Sequence, residues 1–531
     1  MASLPSPSFT ALLLLALALS PRSASAAFLE DRPSQGVFQM SNRMPENEIA
    51  SYRSLSDGSL SYVGTYQTGG VGNPDPTDEA SLDDLGSSNS LSYHFWEGTQ
   101  FLTAVNAGDN TISLLSVNPT TLDLTLQAVQ ALEGIFPCSI TAFEDKVCTA
   151  TCAGSVMAEC FRIVTDSNDG QGSDASFTLE PDFVYDFGFN SPPREGRDNA
   201  VSAVFGPGNI LFSGDGLQLG VIMKGNATLS AGEIAAGYTV PPAAFWSFPV
   251  DDSSSSSSSS SSSAYGAPEV FPLPDVTLPF AFSWRFGEEG TTNQIVLVVS
   301  IAGESKDFPE CDEVVNCRSS ITSLQVISST SENNTTQLAI AKIDEVPLDV
   351  VDGCWIEYRF AHWFTGNFVS DSISIGTVTR SGELEFLRTS PTGDGTIPAD
   401  TDIVQMGTKL DGSFYLYTEN QGDISIGIHE VLEYGTIPKA PFDGGFTLYT
   451  KPSAALPAGS ALNSTWRGAM GIAVTTLSEQ QLFEIYGYEV KVEEEEGSMA
   501  MSDSSPASMA SASIVSTLLL VTFIVIGFES M

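Results

Sequence analysis

Three observations predict an all-β chain folded as a seven-bladed β-propeller. The first is a short pattern that recurs seven times, an apolar strand-like run stopping at small residues or Asn, then a second β-rich run. The second is that helical periodicity is scarce, whereas Val, Ile, Thr, Phe and Tyr gather in short runs between Gly, Asn, Asp and Ser. The third is size. At 531 residues the chain exceeds one ordinary core, yet a ring of small sheets absorbs that length as one domain. A four-stranded sheet cannot cover both of its own faces, so copies stack radially and cover one another.

The copies read GVFQMSN (36–42), FLTAVNAGDNTISLL (101–115), KVCTATCAG (146–154), LQLGVIMKGN (217–226), IVLVVSIAG (295–303), FAHWFTGNFVSDSISIG (360–376) and FYLYTENQGDISIGI (414–428). Their alignment puts Asn106, Gly366 and Gln421 at equivalent strand-end turns. The first copy begins almost at the mature N-terminus and lacks a strand upstream. GAMGIAV (468–474), with the strand-like 482–490 after it, is placed to supply the missing pairing and hide the open sheet edge. A homopolymeric Ser run, within an insertion spanning 251–266, cannot bury apolar surface and reads as a flexible loop between blades four and five. A polar insertion at 304–320, carrying Cys311 and Cys317, falls within blade five.

Both ends carry signals outside the propeller, which is expected over 27–492. ALLLLALAL (11–19) is too short to span a bilayer, and Ala24-Ser25-Ala26 is a small-x-small cleavage site, so residues 1–26 read as a signal peptide. Residues 493–513 form an acidic, then Ser/Ala/Met-rich stalk, and 514–531 a hydrophobic C-terminal tail. The tail ends without Lys or Arg, and small residues at Ser502-Asp503-Ser504 precede it, which matches a GPI attachment signal. A membrane anchor helix is the alternative. The expected location is the secretory pathway and the cell surface, membrane-anchored through the C-terminus, with a monomeric head.

The formal charge is −44, from 65 acids against 21 bases. Such a surface repels phosphate backbones and excludes nucleic acid as a partner. Seven cysteines suit an oxidising compartment. Cys311 and Cys317 are the nearest candidate pair outside the third repeat. Cys138, Cys148, Cys152 and Cys160 crowd that repeat with their connectivity open. Asn226, Asn333, Asn334 and Asn463 each head an N-x-Ser/Thr sequon, marking glycosylation candidates.

Several pieces, in order, resemble the lactonase-type seven-bladed propellers, the family of 3-carboxymuconate cyclase and 6-phosphogluconolactonase. They are LGSSNSL (85–91), PCSITAFEDKVCTA (137–150), PFAFSWRF (279–286), DGCWIEYRFAHWFTGN (352–367) and MGTKLDGSFYLYTENQGDISI (406–426). SDGSLSYVG (56–64) and SGELEFL (381–387) resemble the family's outer hairpin, a Gly-containing turn before a strand. The resemblance implies a lactonase- or cyclase-type hydrolase acting on a small carboxylated lactone, with His, Arg and Glu at the mouth of the central channel. No such set aligns here. Arg285 in SWRFGEEG is the best-placed cation, with Glu288 and His94 as bases in that reading. His94 within Tyr93-His94-Phe95 equally reads as a packed core histidine, and His362 more so.

The other reading is a binding or scaffold propeller, taking a small molecule or a surface polymer at a channel mouth. No cofactor is expected. Calcium is the one candidate, at Asp83 and Asp84 or the 307–312 loop with Glu310, although neither has EF-hand spacing and both read first as solvated charge.

Overall fold

The computed structural model describes residues 35–474 apart from 56–57, 74–84, 167–175, 193–205, 226–228, 230, 251–263, 275–277, 286–292, 302–317, 331–335, 351–352, 360–361, 369, 380, 394–397, 405–413, 421–424, 433–446 and 456–470. They build seven antiparallel sheets arranged as the blades of a propeller. Counted from the axis outward, blade one is β27 (Ile472–Val474), β1 (Gly36–Met40), β2 (Glu48–Ser54) and β3 (Leu60–Gln67). Blade two is β4 (Leu91–Trp96), β5 (Thr99–Asn106), β6 (Thr111–Val117) and β7 (Leu124–Ala131). Blade three is β8 (Ile135–Phe143), β9 (Lys146–Asp166) and β10 (Ser176–Ser191). Blade four is β11 (Pro207–Phe212), β12 (Gln218–Met223), β13 (Ala244–Pro249) and β14 (Glu269–Pro272).

Blade five is β15 (Pro279–Arg285), β16 (Asn293–Ser300), β17 (Ser320–Thr330) and β18 (Thr336–Pro347). Blade six is β19 (Gly353–Arg359), β20 (His362–Asn367), β21 (Ser372–Val378) and β22 (Leu384–Pro391). Blade seven is β23 (Pro398–Val404), β24 (Phe414–Asn420), β25 (Ser425–Leu432) and β26 (Thr447–Ala455). The seven innermost strands touch in succession, β4 to β8, β11, β15, β19, β23, β27 and back to β4, which closes the ring.

Every one of the seven sequence repeats forms the second strand of its blade. That position explains the signal. A second strand is flanked by strands on both edges and by blades on both faces, so it is buried along its whole length, as β12 and β20 are. The apolar layers lie between blades. Ile222 and Phe245 meet Phe282 and Val296 between blades four and five, and Tyr415 and Ile428 meet Val37 and Tyr52 between blades seven and one. Each such aromatic or branched side chain contributes about 1.5–3 kcal/mol on burial.

The ring closes as the repeat pattern requires. β27 pairs antiparallel with β1, Val37 opposite Val474 and Gln39 opposite Ile472. The buried Glu419 carboxylate ties this seam, accepting from Gln39 Nε2 at 3.1 Å and from the Gly471 N–H at 2.8 Å. The 482–490 segment lies outside the described residues. Gly58 and Gly382, with φ of +81° and +89°, form the turns before the outermost strands β3 and β22. Such turns need a residue without a Cβ.

Two expectations are corrected. The Ser run lies inside blade four rather than between blades, because residues 251–263 separate β13 from β14 of one sheet. The strand-end residues equivalent to Asn106 are Asn367 and Asn420, one step from the positions inferred; Gln421 lies outside the described residues. The 304–320 insertion separates β16 from β17, within blade five.

Blade three is stapled covalently. Its long β9 doubles back at Gly154 (φ +64°), since the Ile163 N–H donates to Asp145 O at 2.6 Å. Cys138 joins Cys152 and Cys148 joins Cys160, which fixes the connectivity the sequence left open. Cys311 and Cys317 lie outside the described residues.

Candidate functional site

One face of the ring carries the second-to-third-strand turns and the connections between blades. There the chain entering β4 crosses the axis. Gly86 and Asn89 adopt φ of +59° and +57°, and these left-handed residues turn Ser87 and Ser88 across the channel. The crossing is held from several blades. Ser87 Oγ donates to Cys138 O at 2.6 Å, and Ser139 Oγ of β8 donates to Ser88 O at 2.6 Å. The Ser88 N–H donates to Gly208 O of β11 at 2.8 Å, and Asn89 Nδ2 donates to Asn209 Oδ1 at 3.1 Å. From across the ring, Trp355 Nε1 of β19 donates to Ser87 O at 3.2 Å.

The remaining partner is Lys224, which directly follows β12. Its ammonium donates to Gly86 O and stands 5.4 Å from the centroid of the Phe280 ring, a cation–π contact in a desolvated setting. Phe280 in turn meets Trp355 edge to face at 5.5 Å. Lys224 has no solvent-exposed surface, and Phe280 and Trp355 are buried beside it. A buried ammonium costs free energy unless hydrogen-bonded, and here carbonyl and π density surround it.

Lys224 stands out against the other blades. Where a second strand ends, Asn106 donates to Thr111 Oγ1 at 3.0 Å and Ser113 Oγ at 2.7 Å. Asn367 does the same to Ser372 and Ser374 at 3.1 and 3.0 Å, and Asn420 to Ser425 at 3.0 Å. These amides pin their own turns, and Asn106 Oδ1 also accepts from Asn47 Nδ2 and Thr68 Oγ1 of blade one at 3.0 and 2.7 Å. In blade four a cation follows the strand end and reaches toward the axis instead. Sequence reasoning missed Lys224, although LQLGVIMKGN set against FLTAVN, WFTGN and LYTEN shows a charge where the copies have Asn.

Of the residues singled out from sequence, the described ones sit on different blades. His94 lies on β4, buried, stacked on Phe101 at 5.3 Å, with both ring nitrogens lacking hydrogen-bond partners. Burial holds its pKa down at about 3. Arg285 ends β15 in blade five, and its Nη1 donates to Thr379 O of blade six at 2.5 Å. Glu288 lies outside the described residues, as do Asp83, Asp84, the 307–312 loop, Asn226, Asn333, Asn334 and Asn463. His362 is buried at the start of β20. His429 is also buried, its Nε2 at 3.2 Å from Thr418 Oγ1 and its pKa held down at about 3 by burial. Among the described residues no group of three or more His, Cys, Asp or Glu side chains is disposed to hold a metal ion.

The fold is that of a seven-bladed propeller of the lactonase-like kind. No family model matches it, and no curated protein does. Among solved structures it is similar to a provisionally named 6-phosphogluconolactonase from Bacteroides fragilis, with 15% identity, a TM-score of 0.51, and 84% of this chain and 98% of the other covered. A second, from Bacteroides uniformis and named in the same provisional way, has 12% identity, a TM-score of 0.50, and covers 84% of this chain and 100% of its own. At such identities the likeness is one of fold.

Proposed function

We propose that the protein is a binding platform of lactonase-like fold, secreted and held at the cell surface by a lipid on its C-terminus. The observation that carries this reading is the crossing of the channel by 85–90, to which the converging donors Lys224 and Trp355 are already committed. The strongly acidic composition and the two disulfides of blade three suit an extracellular setting. Its partner is a small molecule or a surface polymer presented to the loop-bearing face.

Hydrolysis of a small carboxylated lactone is the competing reading, and the fold supports it. It requires a base and a cation at one reacting carbonyl. His94 is a poor base in that role, because an imidazole with a pKa near 3 takes up little proton at neutral pH and is sealed from water. The test is lactone turnover by the purified full-length protein between about pH 5 and pH 9, near which catalytic bases operate. Absence of turnover agrees with the binding platform. Turnover abolished by Arg285→Ala in a folded protein overturns it.

A further inference from the structure

What fills the channel end is itself a peptide, and the ring reads it almost wholly through backbone and hydroxyl groups. Gly86 O, Ser87 O, Ser88 N–H and Ser88 O are each bonded by a group from another blade, and the Ser87 hydroxyl adds a fifth bond. The groups that bond it come from blades three, four and six, and most sit on innermost strands with apolar layers of their own. Trp355 and Phe280 pack with Leu297 and Val299, and Ile140 packs among blades one to three. On the side of blades five and six the receiving surface is therefore preorganised by contacts that the crossing segment does not make, while on the side of blade three the segment's own Leu85 joins the layer of Ile140.

At 86–88 only small side chains fit it, whereas Leu85 is buried in the apolar layer of blades one to three. Ser87 is fully buried and Ser88 nearly so, and Gly86 holds a left-handed φ.

From this we propose that the channel end is a peptide-binding site, occupied here by the chain's own 85–90 segment and able to take a bent Gly/Ser/Asn-rich segment of a partner protein in its place. The inference rests on the binding reading above and names the class of partner. Main-chain bonds supply affinity, and steric exclusion of branched side chains supplies specificity. The tethered segment competes at high effective concentration, so the intact protein binds an outside peptide weakly, by the fraction of time the site is vacated.

The test is fluorescence anisotropy with a labelled, end-capped hexapeptide LGSSNS and the full-length protein. Gly86→Ala strains the left-handed residue of the internal segment and loosens it. The hexapeptide is expected to bind this variant about fivefold more tightly than the unaltered protein. Ser87→Ala loosens the segment by a second route if Gly86→Ala folds poorly. Adding Trp355→Phe to either variant removes a donor while keeping an aromatic ring, and is expected to weaken binding about fivefold. The branched peptide LGVVNS is expected not to bind.

Failure of LGSSNS to bind both loosened variants overturns the inference. So does equal binding of LGVVNS, or indifference to Trp355→Phe. Binding of citrate in place of the peptide overturns it in favour of a small-anion site. None of these outcomes touches the binding platform, which falls only on lactone turnover that Arg285→Ala abolishes in a folded protein.

Discussion

Two buried polar regions of this ring are treated in opposite ways. Around the crossing segment, donors meet acceptors from blade to blade, and the buried Lys224 is bonded to a carbonyl and set on an aromatic face. Around His94, in the layer between blades two and three, Phe101 stacks on an imidazole with neither nitrogen bonded. The first region is polar because something is being held there. The second is an apolar layer in which a histidine serves as a flat ring. The contrast teaches that a rare, chemistry-bearing residue type is a weaker guide than a convergence of satisfied polar groups.

Substitutions should therefore act with opposite signs in the two regions. The largest loss is expected where a buried charge holds the seam of the ring. Glu419→Leu strips the partners from the Gln39 amide and the Gly471 N–H and is expected to cost about 3 kcal/mol, read as a lower urea midpoint. Lys224→Met leaves Gly86 O buried without its donor and is expected to cost about 2 kcal/mol by the same measurement. If Lys224→Met were neutral or stabilising, the matched character of the channel end would be lost as an argument.

His94→Phe should work the other way and only in acid. The folded pKa of about 3 lies below the ordinary value of 6.5, so the unfolded chain binds the proton first. The stability held above pH 6.5 is then lost as pH falls through 6.5 toward 3, for His94 and in the same sense for His429. Relative to the unaltered protein, His94→Phe is expected to gain about 2 kcal/mol at pH 5 and to show a shallower acid limb. An unchanged acid limb would mean that the imidazole reaches solvent or a partner. The smallest effect is expected at Asn367→Ala, about 1 kcal/mol for loss of the amide bonds that pin one turn, with the channel end unaffected.

The fold was legible because second strands of blades are buried on both faces and so recur as strand-like runs stopping at small residues or Asn. Closure was legible because the first copy begins without an upstream strand. Blade four was misread where β14 is only EVFP, four residues with no alternation, and a Ser run before it resembles a boundary. The channel end was hardly legible at all. LGSSNS was visible as a family-like piece, but its bonds run to residues 138, 208, 224 and 355, and only the closed ring brings those together. Lys224 needed the copies compared residue by residue rather than run by run.

The most direct test of the account is hydrogen–deuterium exchange of the 85–90 segment in the full-length protein at neutral pH. The Ser88 amide, bonded to Gly208 O, is expected to be protected to the same degree as the amides of β4, and Lys224→Met is expected to lower that protection before it affects β4. Exchange of Ser88 at the rate of a free loop, in a protein whose β4 remains protected, would contradict it.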